Sequence, residues 1–256
     1  MSDSEFEIPQ EPKEELELSF LDHLEELRWR VVKALLGTLI AVVLCAYFSD
    51  FLVNEVVLGP IQRTNPPLKL INTIPYGQIT LYMMVVLVAS VIVSSPWLLY
   101  QLWKFVVPAL YLKEKKYLSG VVFFTTFCFL GGVAFAYFLM LPYMLQFFST
   151  FGSPQIQNLI SVGDYMGFVL QMILLSGLIF ELPMITYFLS KFGILTPAFM
   201  RHYRRHSIVA IFILAAILTP TTDAVTMAMF SAPMLILYEV SIWISAVVHR
   251  KKTITL

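Results

Sequence analysis

Polar and apolar residues separate along this chain into long blocks rather than alternating. Spanning a bilayer as a helix takes about 20 mostly apolar residues, so charge-poor runs bounded by charges or turn residues mark candidate spans. Six such runs occur: residues 31–48, 77–102, 117–141, 165–189, 207–218 and 224–248. Only Lys33, at its edge, interrupts the first, while Glu181 lies inside the fourth and Glu239 inside the sixth. The fifth run would make only about 18 Å of helix against a hydrocarbon core of about 30 Å. Local thinning of the membrane, or a hairpin of the fifth and sixth runs around Thr219-Pro220-Thr221-Thr222-Asp223, would relieve that mismatch. Ahead of the first run, Ser19 and Asp22 form a capping-box-like pair that predicts a helix start at Ser19. Phe20, Leu24, Leu27 and Val31 then share one face of that helix, and Asp22, Glu26, Arg30 and Lys33 another.

Composition agrees with the blocks. The 256 residues are 58% hydrophobic and 13% charged, against roughly 25% charged in soluble domains. An all-α integral membrane protein follows. The basic residues then set its orientation: Lys13, Arg28, Arg30 and Lys33 precede the first span, and Lys104, Lys113, Lys115 and Lys116 follow the second. Lys191, Arg201, Arg204 and Arg205 follow the fourth, and Arg250, Lys251 and Lys252 end the chain. The alternate loops hold only Arg63 and Lys69, so the positive-inside rule predicts both termini in the cytoplasm. Residues 1–18, acidic and carrying Pro9 and Pro12, read as a disordered cytoplasmic tail, with the membrane domain over 19–256. The formal net charge of +0 advertises no nucleic-acid partner.

Candidate chemistry is sparse. The chain has no Gly-rich phosphate loop, no H-E-x-x-H and no G-x-S-x-G, so neither an enzyme nor a cofactor is expected. Cys45 and Cys128 fall inside apolar runs as small buried hydrophobes, and no metal site is expected. His202 and His206 in "RHYRRH" are spaced as metal ligands can be, but surrounding arginines favour a topological or lipid-headgroup role.

The acids carry more information, because ten of the seventeen lie within the first 26 residues. Glu25 and Glu26 are spaced to pair with Arg28 and Arg30 on their own helix. Alternatively, they join Glu114, the acid of a basic loop, in binding a ligand rich in cations. Glu181, about 12 Å from the cytoplasmic end of its span, needs a partner or a wet cavity, because a mid-span charge costs about 2.5–3.5 kcal/mol. Glu239 lies about 15 Å deep by the same rise, so the two acids are candidates for one cavity. Pro183, two positions after Glu181, predicts a kink. An ion-coupled small-molecule transporter using Glu181 as proton relay is a rival reading, weakened by the lack of an evident repeat.

The stretch "HLEELRWR" from His23 to Arg30 resembles the H-L-x-E-L-R-x-R signature of the TatC family, the multispanning receptor subunits of the twin-arginine protein translocase. Similar stretches follow in family order: "SSPWLLYQLWKFVVPALYLKE" (Ser94 to Glu114), "GVAFAYFLMLP" (Gly132 to Pro142), "FELP" (Phe180 to Pro183) and "LTP" (Leu218 to Pro220). The resemblance implies a concave, glove-like bundle of six helices, the fifth and sixth short, in a bacterial or archaeal cytoplasmic membrane. It implies a receptor for the consecutive arginines of signal peptides on folded cargo proteins, using Glu26 and Glu114, with Arg28 and Phe105 beside them. Glu181 would line the concave face, and Pro60 would belong to a periplasmic cap. Single-span TatA-type and TatB-type subunits would be the partners within a hetero-complex containing several copies of the chain, powered by the proton-motive force. The family's L-T-P-P-D reads "LTPTTD" here, which sets Asp223 of the last hairpin one residue late.

Overall fold

The computed structural model of the chain describes residues 13–106, 118–153, 159–218 and 223–254, with side chains described from residue 24 to residue 250 of these, residues 118 and 218 excepted. The first helix, α1 (Lys13–Tyr47), is 35 residues long. It begins six residues before Ser19, immediately after Pro12, so the expected cap is an interior position. Lys13, Glu14, Glu15, Leu16, Glu17 and Leu18 are good helix formers, and glutamates in a first turn complement the helix dipole.

A compact connection follows: α2 (Ser49–Phe51), a π-helical turn over Leu52–Val57, α3 (Gly59–Gln62) and the strand β1 (Lys69–Ile71). The 30-residue α4 (Gly77–Val106) then runs back along α1. Next, α5 (Leu118–Phe135) passes through a second π turn, Ala136–Met140, into α6 (Leu141–Thr150). This continuous helical run reaches nine residues beyond the expected end at Leu141. Pro142 sits in the first turn of α6, where its missing N–H is harmless. Strand β2 (Leu159–Ser161) leads to α7 (Val162–Ile179), and after a break at Phe180 and Glu181 comes α8 (Leu182–Lys191). The break bears out the kink expected from Pro183, which lies in the first turn of α8. The chain ends with α9 (Pro197–His202), α10 (Arg204–Leu218) and α11 (Ala224–Ile254).

Among the described residues, five segments are long and apolar enough to cross a membrane: Leu24–Tyr47, Gly77–Val106, Ser119–Thr150, Val162–Lys191 and Ala224–Arg250. The expected fifth span is α10, whose 15 residues reach about 22 Å. The expectation of a short sixth helix is corrected: α11 has 31 residues, because the apolar run 224–248 is helical throughout and the helix runs on through the basic His249–Lys252.

The segment Val162–Lys191 is central, with 56% of its apolar window buried, while α1 has 11% buried and presents Leu35, Leu39, Ile40 and Val43 outward. Met166 and Val169 of the central segment share one core cluster with Leu141, Met144 and Phe230. Where α5 meets α7, a Cβ on Gly132 would lie 2.5 Å from the Ser176 carbonyl oxygen and 2.9 Å from Gly177 Cα. Small residues allow such backbone approach, and van der Waals packing is what holds helices together in lipid. Hydroxyls tie other pairs: Ser190 donates to Ser245 at 2.8 Å, and Tyr238 to the Met200 carbonyl at 2.8 Å.

At the far end from the basic loops, the connections bind one another. Val56 and Val57 close the first π turn, where carbonyls lack intrahelical donors. The Tyr137 hydroxyl donates to the Val56 carbonyl at 2.9 Å, and the Tyr165 hydroxyl to that of Val57 at 2.7 Å. Gln146 donates to the Asn65 carbonyl at 2.8 Å. Strands β1 and β2 pair in parallel, Leu70 opposite Ile160.

Candidate functional site

The first turn of α1 after His23 carries both acids of the "HLEELRWR" stretch, at the end of the molecule where α4 terminates. There Glu25, Glu26, Trp29, Arg30 and Lys33 of α1 and Lys104 of α4 line a groove of about 430 Å³. Glu26 accepts hydrogen bonds from Nε of Arg30 at 3.0 Å and from its Nη2, both on the same carboxylate oxygen. The spacing of four residues, glutamate first, is the favourable helical order. Burial is uneven in this pair: the Arg30 side chain is 12% exposed and that of Glu26 39%. The acid therefore faces outward while the arginine lies along the helix.

The groove is thus a charged mouth with two carboxylates and three cations, one of them committed to Glu26. Charged hydrogen bonds of this kind are about twice as strong as neutral ones, and a guanidinium offers its donors in a planar fork. Chemically the arrangement can exchange one guanidinium for another. No proton transfer or nucleophile is required of it, and among the described residues no group of histidine, cysteine, aspartate and glutamate side chains could hold a metal ion.

Of the site residues expected from sequence, those among the described residues that reach this groove are Glu26 and its neighbour Glu25. Arg28 is exposed on α1 outside the lining, Phe105 is half-buried on α4 next to Lys104, and Glu114 lies outside the described residues. Glu181 is buried at the N-cap of α8, and its Oε1 has no hydrogen-bond partner among the described residues. Glu239 is half exposed and forms an ion pair with Arg204 at 2.6 Å. That pairing answers the charge of Glu239 from α10, without Glu181. Pro60, in the first turn of α3, lines a groove of about 810 Å³ with Tyr137, Tyr143 and Gln146 at the opposite end. Asp223 caps α11, its Oδ1 accepting from the Thr226 backbone at 2.7 Å.

Sequence reasoning did not single out Lys104, Lys33 or Trp29 as groove residues. The signal was available for Lys104, which follows Tyr100 by one turn, its ammonium 5.5 Å from the ring centroid. Nothing in the sequence sets which turn of α4 faces Glu26.

The family model of the Sec-independent protein translocase protein TatC matches residues 22–233. Among curated proteins, the chain is 35% identical over 238 residues to a Sec-independent protein translocase protein TatC of Koribacter versatilis (strain Ellin345), covering 91% of this chain and 87% of that one. It is 34% identical to that of Aquifex aeolicus (strain VF5), covering 90% and 96%. The fold is similar to a crystal structure of a twin-arginine translocase receptor TatC, with a TM-score of 0.79, 33% identity, and coverage of 89% of this chain and 99% of that one. A model match over most of the sequence, relatives above 30% identity and the shared fold converge: the chain belongs to the TatC family of Sec-independent protein translocase proteins.

Proposed function

We propose that this membrane translocase component is the receptor and core subunit of a twin-arginine translocase, and that the Glu25–Glu26 groove captures the consecutive arginines of signal peptides. Family membership makes the chain a part of protein transport rather than an enzyme. The observation that carries the reading is the seating of Arg30 on Glu26. An exposed carboxylate already holds one guanidinium on one oxygen. A ligand arginine that replaces Arg30 exchanges like for like, so the charge of Glu26 stays compensated throughout. The second arginine goes to Glu114, on the loop that follows α4, with Arg28 and Phe105 flanking. Two carboxylates on separate segments read two planar cations at a fixed spacing, which a pair of lysines matches in charge but not in fork geometry.

In this reading the chain crosses a bacterial or archaeal cytoplasmic membrane six times with both termini inside, as the distribution of Lys and Arg supports. The Pro60 region forms the periplasmic cap, and Glu181 lines the concave face. Single-span TatA-type and TatB-type partners and further copies of this chain complete the complex. The proton-motive force drives export of folded cargo, in keeping with a sequence that has no phosphate-binding loop.

The test is photo-crosslinking of a twin-arginine signal peptide to the full chain in membranes. Glu26→Ala and Glu114→Ala are each expected to lower the yield, and the double variant to lower it furthest. An unchanged yield in the double variant would show that the arginines are read elsewhere.

A further inference from the structure

The seam between α1 and α4 carries a polar clamp that starts at Lys33, on the edge of the groove, and runs away from it. The indole Nε1 of Trp97, on α4, donates to the carbonyl of Lys33, on α1, at 2.9 Å. The same ring lies over Gly37, where a Cβ would fall 2.3 Å from Trp97 Cδ1 and 2.4 Å from Nε1. One turn deeper, the hydroxyls of Thr38 and Ser94 are 3.3 Å apart. On its other side Trp97 stacks on Tyr100, centroids 5.9 Å apart, and Lys104 sits over Tyr100 in turn. A ladder of three side chains along α4 therefore runs from the clamp into the groove that Lys104 lines.

The spacing along the two helices matters. Glu26 precedes Lys33 by seven residues, two turns or about 10 Å of α1. Lys104 follows Trp97 by the same seven residues, and α4 runs back along α1. Holding Lys33 against Trp97 therefore brings Glu26 level with Lys104, and both face one groove. A slip of one turn would displace them by about 5.4 Å. Trp97 is itself 43% exposed, so trimming it opens no cavity in the core.

We infer that Trp97 is a positioning residue for the peptide site: its N–H on Lys33 and its ring on Gly37 set the register of α1 on α4. The register fixes where Glu26 stands opposite Lys104. The inference rests on the reading of Glu26 as an arginine acceptor, and its test separates the two.

The full chain in nanodiscs is titrated with a labelled twin-arginine peptide and with its lysine-lysine counterpart. Spin labels at Leu24 and Leu102, exposed positions on the two helices, report the spacing across the groove. Trp97→Phe keeps a ring but removes the donor, and Gly37→Ala pushes the ring away. Each is expected to weaken the twin-arginine peptide roughly fivefold, as loss of one hydrogen bond allows. Each should also shift the label distance, with the thermal midpoint and the weak lysine-peptide binding unchanged. Gly37→Ala should add nothing in a Trp97→Ala background, because the ring it displaces is gone. If Glu26→Gln weakens capture while both seam variants leave affinity and distance unchanged, Trp97 has no positioning role and the acid site stands. A fall in affinity that only tracks a fall in thermal midpoint also overturns the role. If Glu26→Gln itself has no effect, the acid site is refuted first.

Discussion

The two ends of the molecule are built on opposite plans. At the Pro60 end, the hydroxyls of a half-buried and a buried tyrosine, Tyr137 and Tyr165, reach across long stretches of sequence to the carbonyls of Val56 and Val57, and two strands stitch separate connections together. At the Glu26 end, charged side chains stand on the surface of one helix, and the principal pair lies within a single turn of it. In the first plan, losing the Tyr165 hydroxyl orphans a buried carbonyl, and losing that of Tyr137 a half-buried one. The second leaves its groups accessible to an incoming ligand. On the proposed reading of the Glu26 groove, stability and recognition are assigned to different ends, which is what a receptor that must exchange partners without unfolding requires.

The largest test of that division is the double variant Tyr137→Phe with Tyr165→Phe. Each leaves a carbonyl unpaired at about 1–3 kcal/mol, so the pair is expected to lose about 2–6 kcal/mol if the sites add. Thermal unfolding in detergent checks it, and peptide capture per folded molecule should stay as it was. Glu26→Gln sharpens the other side. The amide still accepts from Arg30, so the thermal midpoint should hold, while affinity for a twin-arginine peptide is expected to drop about tenfold, or 1.4 kcal/mol. If this variant instead unfolds and the tyrosine pair instead loses capture, the division is wrong. The smallest effect belongs to Arg204→Ala. Its side chain is 57% exposed and that of Glu239 47%, and exposed ion pairs contribute about 0–1 kcal/mol. A loss above 2 kcal/mol would show that the basic end also carries stability.

Much of this was legible in the sequence, and the reasons differ by element. The apolar blocks became helices because a membrane span must satisfy its own backbone, which leaves helix as the local solution. Pro183 marked the break after α7 since proline removes a donor whatever the surroundings. The π turns at Leu52–Val57 and Ala136–Met140 left no comparable mark, because what supports the first is Tyr137 and Tyr165, more than eighty residues away. Ser19 misled because a capping motif competes with the helix-forming run before it, and the run prevailed. Glu239 looked like a partner of Glu181 on depth alone, yet depth along a helix says nothing of azimuth, and Arg204 of α10 takes it. At the site, Glu26 stood out through residue type and place. Its relation to Lys104 depends on a register that only the contact of Trp97 with Gly37 reveals.

The pairing of β1 with β2 has a mechanical meaning. It fastens the connection between α1 and α4 to the connection between α6 and α7, joining two helical hairpins at one end. The strands act as a staple at that end, while α4 also packs along α5 and α7, so the two hairpins are held both at their tips and along their lengths. From the staple the 30 residues of α4 span about 45 Å to the Glu26 groove, which places the fastening and the charged rim at opposite ends of one rod.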